Sequence, residues 1–251
     1  MEGAYINLSI ENFIGTITFS NPKHNALPSH LLKELAQTIL DAGANDEVKV
    51  IVLKSAGDRT FCAGASFNEL ITINDMQTGK AFFSGFANVI NAMRTCGKLV
   101  IGRIQGKTVG GGVGLAAACD YTLATKHAAI KLSELSIGIG PFVIEPAVTK
   151  KMGQTAMSEM TINAEQFYDA QYAKNNQLYA NVFETIEELD EAVINLANKL
   201  ASYNPEALLE MKKVLWKPYS NWDNLLIERA EISGKLVLSE FTKHKLASFA
   251  E

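Results

Sequence analysis

Two glycine-rich stretches are the parts of this sequence whose residue types and spacing could support chemistry. The stretch VGGGVGLAAACD, Val109–Asp120, has four glycines among its first six residues and then continues as an apolar run. Glycines at the start of a helix leave backbone N–H groups uncovered, where the helix dipole favours negative charge. FCAGASFNEL, Phe61–Leu70, is a second glycine-bearing turn before a predicted helix. One N–H group from each turn would form an oxyanion hole.

One acidic residue, Glu134, lies in surroundings that suit a general base. It falls in KLSELSIGIGPF, between a predicted buried strand and an apolar Ile-Gly loop. Burial disfavours the charged form of a carboxylate, so we expect the pKa of Glu134 to be raised. A raised pKa is what a base requires to remove a proton from a weakly acidic C–H bond. The sequence therefore predicts proton transfer at carbon.

The elements that must position these residues alternate between strands and helices up to about Ile139. Short β-branched and apolar runs predict buried strands, and apolar spacing predicts helices over Ser29–Ala44 and Asp75–Arg94. This alternation implies a layered α/β core. The predicted strands are YINLSI and IGTITF, paired around a turn at Glu11–Asn12, followed by KVIVLKS, LVIGRIQ, YTLAT and AAIKL.

Strand signals nearly vanish after about Pro141, and the rest of the chain predicts amphipathic helices. A helical tail with wide apolar stripes either packs back on the core or builds a subunit interface. We therefore predict an α/β core over residues 1–195. We also predict a helical C-terminal region over residues 196–251, involved in packing or oligomerisation.

The composition argues against several classes of protein. A formal net charge of −4 over 251 residues disfavours a general nucleic-acid-binding protein. The three cysteines include no C-x-x-C pair, which suits a reducing compartment, and the four histidines are scattered, so no metal site is expected. We see neither a secretory signal nor an uncharged apolar run long enough to cross a bilayer. These features predict a soluble, cytoplasmic protein.

Three short motifs around the glycines resemble sites of other enzyme classes but fail on spacing or context. GRIQGKT, Gly102–Thr108, is one residue shorter than a P-loop. Gly112, Gly114 and Ala117 fit a dinucleotide fingerprint, but the preceding predicted strand ends several residues early and the next ends at a lysine. The segment Gly64–Asn68 half resembles a nucleophile elbow but lacks its second glycine. An NTPase, a dinucleotide-dependent enzyme and a serine hydrolase are therefore disfavoured.

Four segments, in this order, resemble the crotonase (enoyl-CoA hydratase/isomerase) superfamily over essentially the whole chain. NPKHNAL, Asn21–Leu27, resembles the segment that meets coenzyme A, and LSELSIGIGP resembles the catalytic-glutamate segment. FCAGASFNEL and IQGKTVGGGVGLAAACDYTLAT resemble the two oxyanion turns. The resemblance implies an α/β fold, a crotonase-like spiral of ββα units with a helical C-terminal region.

The resemblance also implies what the protein binds. The substrate would be an acyl-CoA, and no metal or separate cofactor would be needed because the coenzyme A thioester itself brings the activating group. The family usually forms trimers, so a homotrimer or a dimer of trimers is expected. No nucleic-acid or membrane partner is implied.

Roles follow from the resemblance position by position. The N–H groups of Ala65 and Gly111 would hold the thioester oxygen, and Glu134 would move a proton next to the thioester carbonyl. The residues expected to bind the substrate are Lys23, His24, Asn25, Ala26, Ala63, Gly64, Ser66, Phe67 and Gly110. Either core packing or the wall of an acyl pocket is expected for Phe82, Phe83 and Phe86.

The chain departs from the hydratases of this family at one position that matters chemically. Those hydratases carry a second glutamate three residues beyond the oxyanion glycine, and here that position is Gly114. A glycine can neither orient water nor carry a proton, so a lone Glu134 favours a Δ3,Δ2-enoyl-CoA isomerase, as does the loop GIGPF. Ser66 also stands where the family usually has aspartate. Two alternatives remain, a hydratase that recruits another acid such as Glu145 and a non-catalytic acyl-CoA-binding homologue.

Overall fold

The computed structural model describes residues 3–248. The strands in this range are β1 (Tyr5–Glu11), β2 (Ile14–Ser20), β3 (Val50–Ser55), β4 (Thr60–Cys62), β5 (Leu99–Ile104), β6 (Lys107–Val109), β7 (Tyr121–Thr125), β8 (Ile130–Lys131) and β9 (Asn181–Phe183). The helices are α1 (Ser29–Ala44), α2 (Phe67–Leu70), α3 (Met76–Thr95), α4 (Gly111–Ala118), α5 (Glu145–Ile162), α6 (Ala170–Asn175), α7 (Ile186–Ala201), α8 (Pro205–Trp216), α9 (Trp222–Leu236) and α10 (Glu240–Ala247). Short 3-10 helices cover Glu134–Ile137 and Lys217–Tyr219.

A unit of two strands followed by helix repeats three times along the chain. In each unit the first strand joins a large sheet and the second joins a small one: β3 and β4, then β5 and β6, then β7 and β8. The large sheet has the order β1-β2-β3-β5-β7-β9 and is parallel except for the β1–β2 pair. The small sheet has the order β4-β6-β8 and is parallel throughout. This arrangement is the predicted α/β spiral of ββα units.

The predicted hairpin and helices are present with small shifts. The turn between β1 and β2 lies at Asn12–Phe13, one residue later than expected, because Glu11 still pairs with Ile14 in the sheet. Both turn residues have positive φ, 50° and 64°, as a two-residue hairpin turn requires. Helix α1 has the predicted bounds, and α3 begins after Asp75, whose side chain caps it by accepting a hydrogen bond from Thr78 N–H at 2.9 Å.

Strand β3 shows how the large sheet divides the core into two layers. Its side chains alternate, as a strand buried on both faces requires. Ile51 and Leu53 join the main apolar cluster with residues of α1 and α3. Val50 and Val52 face the other side and pack with residues of α7. The predicted boundary after residue 195 therefore falls inside α7, which covers the sheet from Leu189 to Ala201 as part of the core.

The C-terminal helices fold back onto the core. Helix α9 approaches α3 so closely that a Cβ on Gly79 would lie 2.9 Å from the carbonyl oxygen of Gly234. Helix α10 begins beside the loop after Glu134, where a Cβ on Gly138 would lie 2.5 Å from Thr242 Oγ1. The tail therefore packs on the core of its own chain, and its role in a subunit interface stays a prediction.

One strand in the C-terminal half was not predicted. Strand β9 has only three residues, half-buried, and pairs in parallel with β7. Its sequence, NVF, is too short to show an alternating pattern, so only the neighbouring strand identifies it. The expectation that strands are nearly absent after Pro141 misses this edge of the sheet.

Candidate active site

The candidate site lies where the three strands of the small sheet end. These strands run parallel, so their carboxyl ends lie on one edge of the sheet. The chain continues from β4 into Ala63–Ala65, from β6 into Gly110–Gly111, and from β8 through Leu132 into Ser133–Glu134. All three of these segments line one cavity. The sheet topology thus brings together segments that are far apart in the sequence.

The two glycine-rich turns meet at the edge of this cavity. A Cβ on Gly64 would lie 3.6 Å from the Gly111 nitrogen. Gly64 and Gly110 have φ values of 92° and 53°, which residues with a side chain rarely adopt. Within residues 3–248, neither Ala65 N–H nor Gly111 N–H donates a hydrogen bond, and Gly111 is the first residue of α4, where a helix leaves N–H groups unpaired. The two predicted donors therefore lie uncommitted on one cavity wall.

The cavity has a volume of about 210 Å³ and a mostly apolar wall. Phe86 packs against the second turn, where a Cβ on Gly111 would lie 2.4 Å from its ring. Phe82 and Phe83 also line the cavity, so these three aromatic residues form part of its wall as well as packing in the interior. The other apolar side chains on the wall are Ala63, Ala65, Phe67, Leu70, Ile137, Ile139, Pro141, Phe142, Val143 and Ile144. Such a wall excludes water and strengthens electrostatic interactions inside the site.

Glu134 is the only ionisable residue that lines this cavity in the described part of the chain. Its Oε1 lies 3.0 Å from the position that a Cβ on Gly110 would take, so the carboxylate rests against the second oxyanion turn. Its Oε2 is buried and has no hydrogen-bond partner. Loss of solvent raises the pKa of Glu134 from 4.5 to about 7, although a hydrogen bond from its own backbone N–H acts in the opposite direction. The raised pKa predicted from the sequence is confirmed.

The turn that resembles the family's coenzyme A segment lies beside the first oxyanion turn but outside the cavity wall. The two turns are joined by a hydrogen bond from Ala63 N–H to the carbonyl oxygen of His24, 3.2 Å long. Lys23 and His24 are exposed, and Ala26 is half-buried. The structure thus places the backbone of His24 in direct contact with the first oxyanion turn.

Asn25 holds this turn in shape rather than presenting its side chain to a ligand. The residue is buried, and its Nδ2 donates to the carbonyl oxygens of Ala56 and Thr60 at 2.9 and 2.8 Å. Its Oδ1 accepts a hydrogen bond from Asn21 N–H at 3.0 Å. Both donors of the amide are therefore used within the fold, which leaves the backbone of Asn25 as its means of contacting a substrate.

Ser66 also has a structural task. It is the N-cap of α2, and its Oγ accepts a hydrogen bond from Glu69 N–H at 3.4 Å. It does not line the cavity, unlike its neighbours Ala65 and Phe67. Serine and aspartate are both favourable N-caps, so serine at this position keeps the cap that the aspartate usual in the family could also provide.

The space for a second acid is filled by an apolar side chain. Gly114 lies within α4, and a Cβ placed on it would lie 2.3 Å from Ile144 Cγ2 and 2.6 Å from Ile144 Cβ. The substitute acid considered above, Glu145, does not line the cavity. Its carboxylate accepts a hydrogen bond from Thr149 Oγ1 at 2.8 Å and lies 3.7 Å from Arg229. Among the described residues, Glu134 has no acidic neighbour in the cavity.

The structure separates this site from the other enzyme classes considered. The P-loop-like Gly102–Thr108 runs along β5 into β6 instead of leading into a helix. The expectation that the strand before the glycines ends early is wrong, because β6 reaches Val109. However, the next strand, β7, is followed by Lys126 instead of the acidic residue that the dinucleotide fingerprint requires. The nearby thiol of Cys62 is buried, and burial raises its pKa to about 12, which makes it a poor nucleophile.

Among residues 3–248, no group of three or more His, Cys, Asp or Glu side chains is arranged to hold a metal ion. No helix in the same range combines the length and the apolar character that crossing a bilayer requires.

Ile144 and Ser233 are among the residues of the cavity wall that were not identified from the sequence. Ile144 ends the apolar loop that follows Glu134, and this apolar run was the signal that could have revealed it. Ser233 belongs to α9 and is fully buried, and its Oγ makes only a long contact of 3.4 Å with the Arg229 carbonyl oxygen. Nothing in the local sequence marks Ser233, because only the packing of α9 on α3 brings it to the cavity.

Comparison with known proteins agrees with this geometry. The sequence model of the enoyl-CoA hydratase/isomerase family matches residues 9–251. The chain is 28% identical to a short-chain-enoyl-CoA hydratase of Clostridium acetobutylicum over 100% of its own length and 96% of that protein. It is 26% identical to the peroxisomal Delta(3,5)-Delta(2,4)-dienoyl-CoA isomerase of Arabidopsis thaliana, covering 84% of this chain and 80% of the relative.

A solved structure shows the same fold. The crystal structure of an enoyl-CoA hydratase from Mycobacterium avium superimposes with a TM-score of 0.86 at 25% identity, covering 98% of this chain and 95% of that one. The match extends through the C-terminal helices as well as the sheets. From the full-length family match and the site geometry, we conclude that this chain is an enzyme of the enoyl-CoA hydratase/isomerase (crotonase) family.

Proposed function

We propose that this protein is a Δ3,Δ2-enoyl-CoA isomerase in which Glu134 moves a proton between two carbons of the acyl chain. The carboxylate removes a proton from C2 of a 3-enoyl-CoA, and the C–H electron pair moves into a dienolate. The N–H groups of Ala65 and Gly111 stabilise the negative oxygen of that dienolate. The protonated Glu134 then delivers the proton to C4, which leaves the double bond between C2 and C3.

The observation that carries this proposal is the isolation of Glu134 in the cavity. Isomerisation requires one group that both accepts and returns the same proton, whereas hydration also requires a second group to hold and activate water. Glu134 has an unpartnered Oε2 and a pKa raised by burial to about 7, so it can exchange a proton near neutral pH. No other ionisable residue in the described chain lines the cavity with it.

The rest of the acyl-CoA is assigned to the segments beside the cavity. The thioester would lie between the two turns at Ala65 and Gly111, and the acyl chain would lie against the aromatic wall. The pantetheine would leave past Ala63–Phe67 towards the exposed turn at Lys23 and His24. We propose no metal or separate cofactor, and we keep a homotrimer or dimer of trimers and a cytoplasmic location as predictions, which light scattering and cell fractionation would test.

Hydration is the second candidate, because a relative with a match over the full chain is described as a hydratase. It would require a second acid, and Glu145 would have to release Thr149 and move towards the cavity. A third candidate is a homologue that binds acyl-CoA without reacting. The three differ in what they do with a proton at C2 and with water at C3.

The experiment compares 3-enoyl-CoA and 2-enoyl-CoA as separate substrates, together with exchange of the C2 proton in deuterium oxide. We expect conversion of the 3-enoyl substrate, exchange at C2, and slow hydration of the 2-enoyl substrate. Glu145→Gln is expected to keep the isomerase activity. Fast hydration that Glu145→Gln abolishes would establish the hydratase, and binding without exchange or turnover would establish the non-catalytic homologue.

A further inference from the structure

Gly114 packs so closely against Ile144 that a residue with a side chain at position 114 would collide with it. A Cβ added to Gly114 would lie 2.3 Å from Ile144 Cγ2, and real Cβ atoms are essentially never found closer than 3.0 Å to another heavy atom. Both residues are buried, and Ile144 is 3% exposed. Ile144 lines the cavity whereas Gly114 does not. The isoleucine side chain therefore separates position 114 from the cavity.

Ile144 is held in this position by its backbone. It is the N-cap residue of α5, and its carbonyl oxygen accepts the hydrogen bond of Val148 N–H at 3.0 Å. The next residue, Glu145, donates its N–H to the carbonyl oxygen of Pro141 at 2.9 Å. A larger side chain on α4 would thus meet a β-branched residue whose Cβ is fixed by the start of a helix. Neither partner can yield without moving α4 or α5.

We propose that Gly114 and Ile144 form a matched pair that determines reaction specificity, in which Ile144 closes the route from position 114 to the cavity and keeps both a carboxylate and its bound water away from the acyl chain. This inference rests on the proposed isomerase function and adds a residue to it. Glu134 supplies the proton transfer, and Ile144 prevents water from competing for the same substrate. The space that a second acid would need is then filled by the side chain of Ile144.

The pair predicts that an acid alone cannot introduce hydration. Hydration forms a bond between the water oxygen and C3, passes the water proton to a base, and places a proton on C2 as the C2=C3 π bond is lost. In Gly114→Glu the new carboxylate would collide with Ile144 before it reached the cavity. In Gly114→Glu/Ile144→Ala the removed isoleucine atoms open the route, so the new carboxylate can hold water while Glu134 exchanges the proton at C2.

The experiment measures hydration of 2-enoyl-CoA, isomerisation of 3-enoyl-CoA and deuterium exchange at C2 for both single variants and the double variant. We expect the double variant to hydrate about 10²-fold faster than either single variant, the size of a general-base contribution. Gly114→Gln/Ile144→Ala is the matched control, because it has the same shape without the acid, and it should not gain hydration. Non-additivity of this kind is the signature of two residues that share one space.

A packing measurement keeps the inference testable if the double variant with glutamate does not fold. Gly114→Ala should lower the melting temperature, and adding Ile144→Ala should recover part of that loss. The inference would be overturned if Gly114→Glu alone hydrated 2-enoyl-CoA as fast as Gly114→Glu/Ile144→Ala does. It would also be overturned if the wild type isomerised 3-enoyl-CoA while the double variant exchanged the C2 proton without hydrating 2-enoyl-CoA. Failure of the proposed function looks different: the wild type would not convert 3-enoyl-CoA, although the double variant would still gain hydration.

Discussion

Two buried carboxylates, Asp120 and Glu134, have opposite surroundings in this protein. Asp120 follows α4, and its two oxygens accept hydrogen bonds from Val100 N–H (2.7 Å), Lys212 Nζ (2.6 Å) and Trp216 Nε1 (2.7 Å). Glu134 follows β8, and its Oε2 has no partner. Buried polar groups are normally hydrogen-bonded, so the exception calls for an explanation.

The difference separates a structural acid from a chemical one. The partners of Asp120 come from β5 and α8, so this carboxylate fastens the C-terminal helices to the large sheet. Glu134 is instead left in an apolar cavity next to two uncommitted N–H groups. A buried carboxylate with one oxygen left unpartnered costs stability and gains the ability to exchange a proton, which is a common property of functional sites.

The largest effect is expected from Glu134→Gln. The amide cannot accept the C2 proton, so turnover and deuterium exchange should fall by about 10²- to 10⁴-fold. The wall and the N–H donors are unchanged, so acyl-CoA should still bind, as calorimetry would show. Glu191→Gln, on the exposed face of α7, is the control. Full activity of Glu134→Gln would remove Glu134 from the mechanism.

Asp120→Asn should act on stability instead. It leaves the buried ammonium of Lys212 without its ion partner, and breaking a buried pair in this way costs about 3–5 kcal/mol in the free energy of unfolding. Denaturant unfolding measures this loss. Folded Asp120→Asn should retain turnover, because Asp120 does not line the cavity.

A second variant tests the cause of that loss. Removing the stranded charge in Asp120→Asn/Lys212→Met should restore part of the stability, because the unpaired ammonium is then gone. No recovery in the double variant would show that the hydrogen bonds to Val100 and Trp216, rather than the ion pair, hold the C-terminal helices.

Glu134→Gln should stabilise the protein, unlike Asp120→Asn, and the size of this gain should depend on pH. In the wild type the pKa of Glu134 is about 7 in the folded protein and 4.5 ordinarily, so its contribution to stability is present below pH 4.5 and is lost as the pH rises through 7. Glutamine does not ionise. The variant should therefore gain stability relative to the wild type between these pH values, by about 3 kcal/mol at most. Urea unfolding at pH 5 and pH 8 measures the gain, and a pH-independent difference would contradict the buried carboxylate.

The smallest expected effect is the pH dependence of turnover. Proton removal requires the carboxylate form of Glu134, so kcat/KM should rise about tenfold per pH unit below 7 and level off above it. A profile that levels off near pH 4.5 instead would mean that water reaches Glu134 in the free enzyme. Glu134 would then have stabilising partners for its charged form, as Asp120 does, and the contrast between these two carboxylates would be smaller than their hydrogen bonds indicate.

Much of the site could be predicted because its parts are short and local. Bare N–H groups follow from the two glycine-rich turns before helices, and the raised pKa of Glu134 follows from its apolar loop. The assignment of the two donors to Ala65 and Gly111 came from the family resemblance. The task of Asn25 was not visible, because its partners Ala56 and Thr60 lie in another segment. The sequence also did not show that the predicted boundary after residue 195 falls inside α7. A helix that packs on the sheet and a helix that belongs to a separate C-terminal region have the same amphipathic pattern.

By itself, the sequence determined the alternation of strands and helices, the two glycine turns and the apolar surroundings of Glu134, because these depend on residue type and near neighbours. Only the tertiary structure decided that Ser233 reaches the cavity, that Asp120 is fully partnered while Glu134 is not, and that Ile144 fills the space beside Gly114. Each of these depends on contacts between segments that are distant in the chain. Such contacts are set by how layers pack, and no local pattern encodes them.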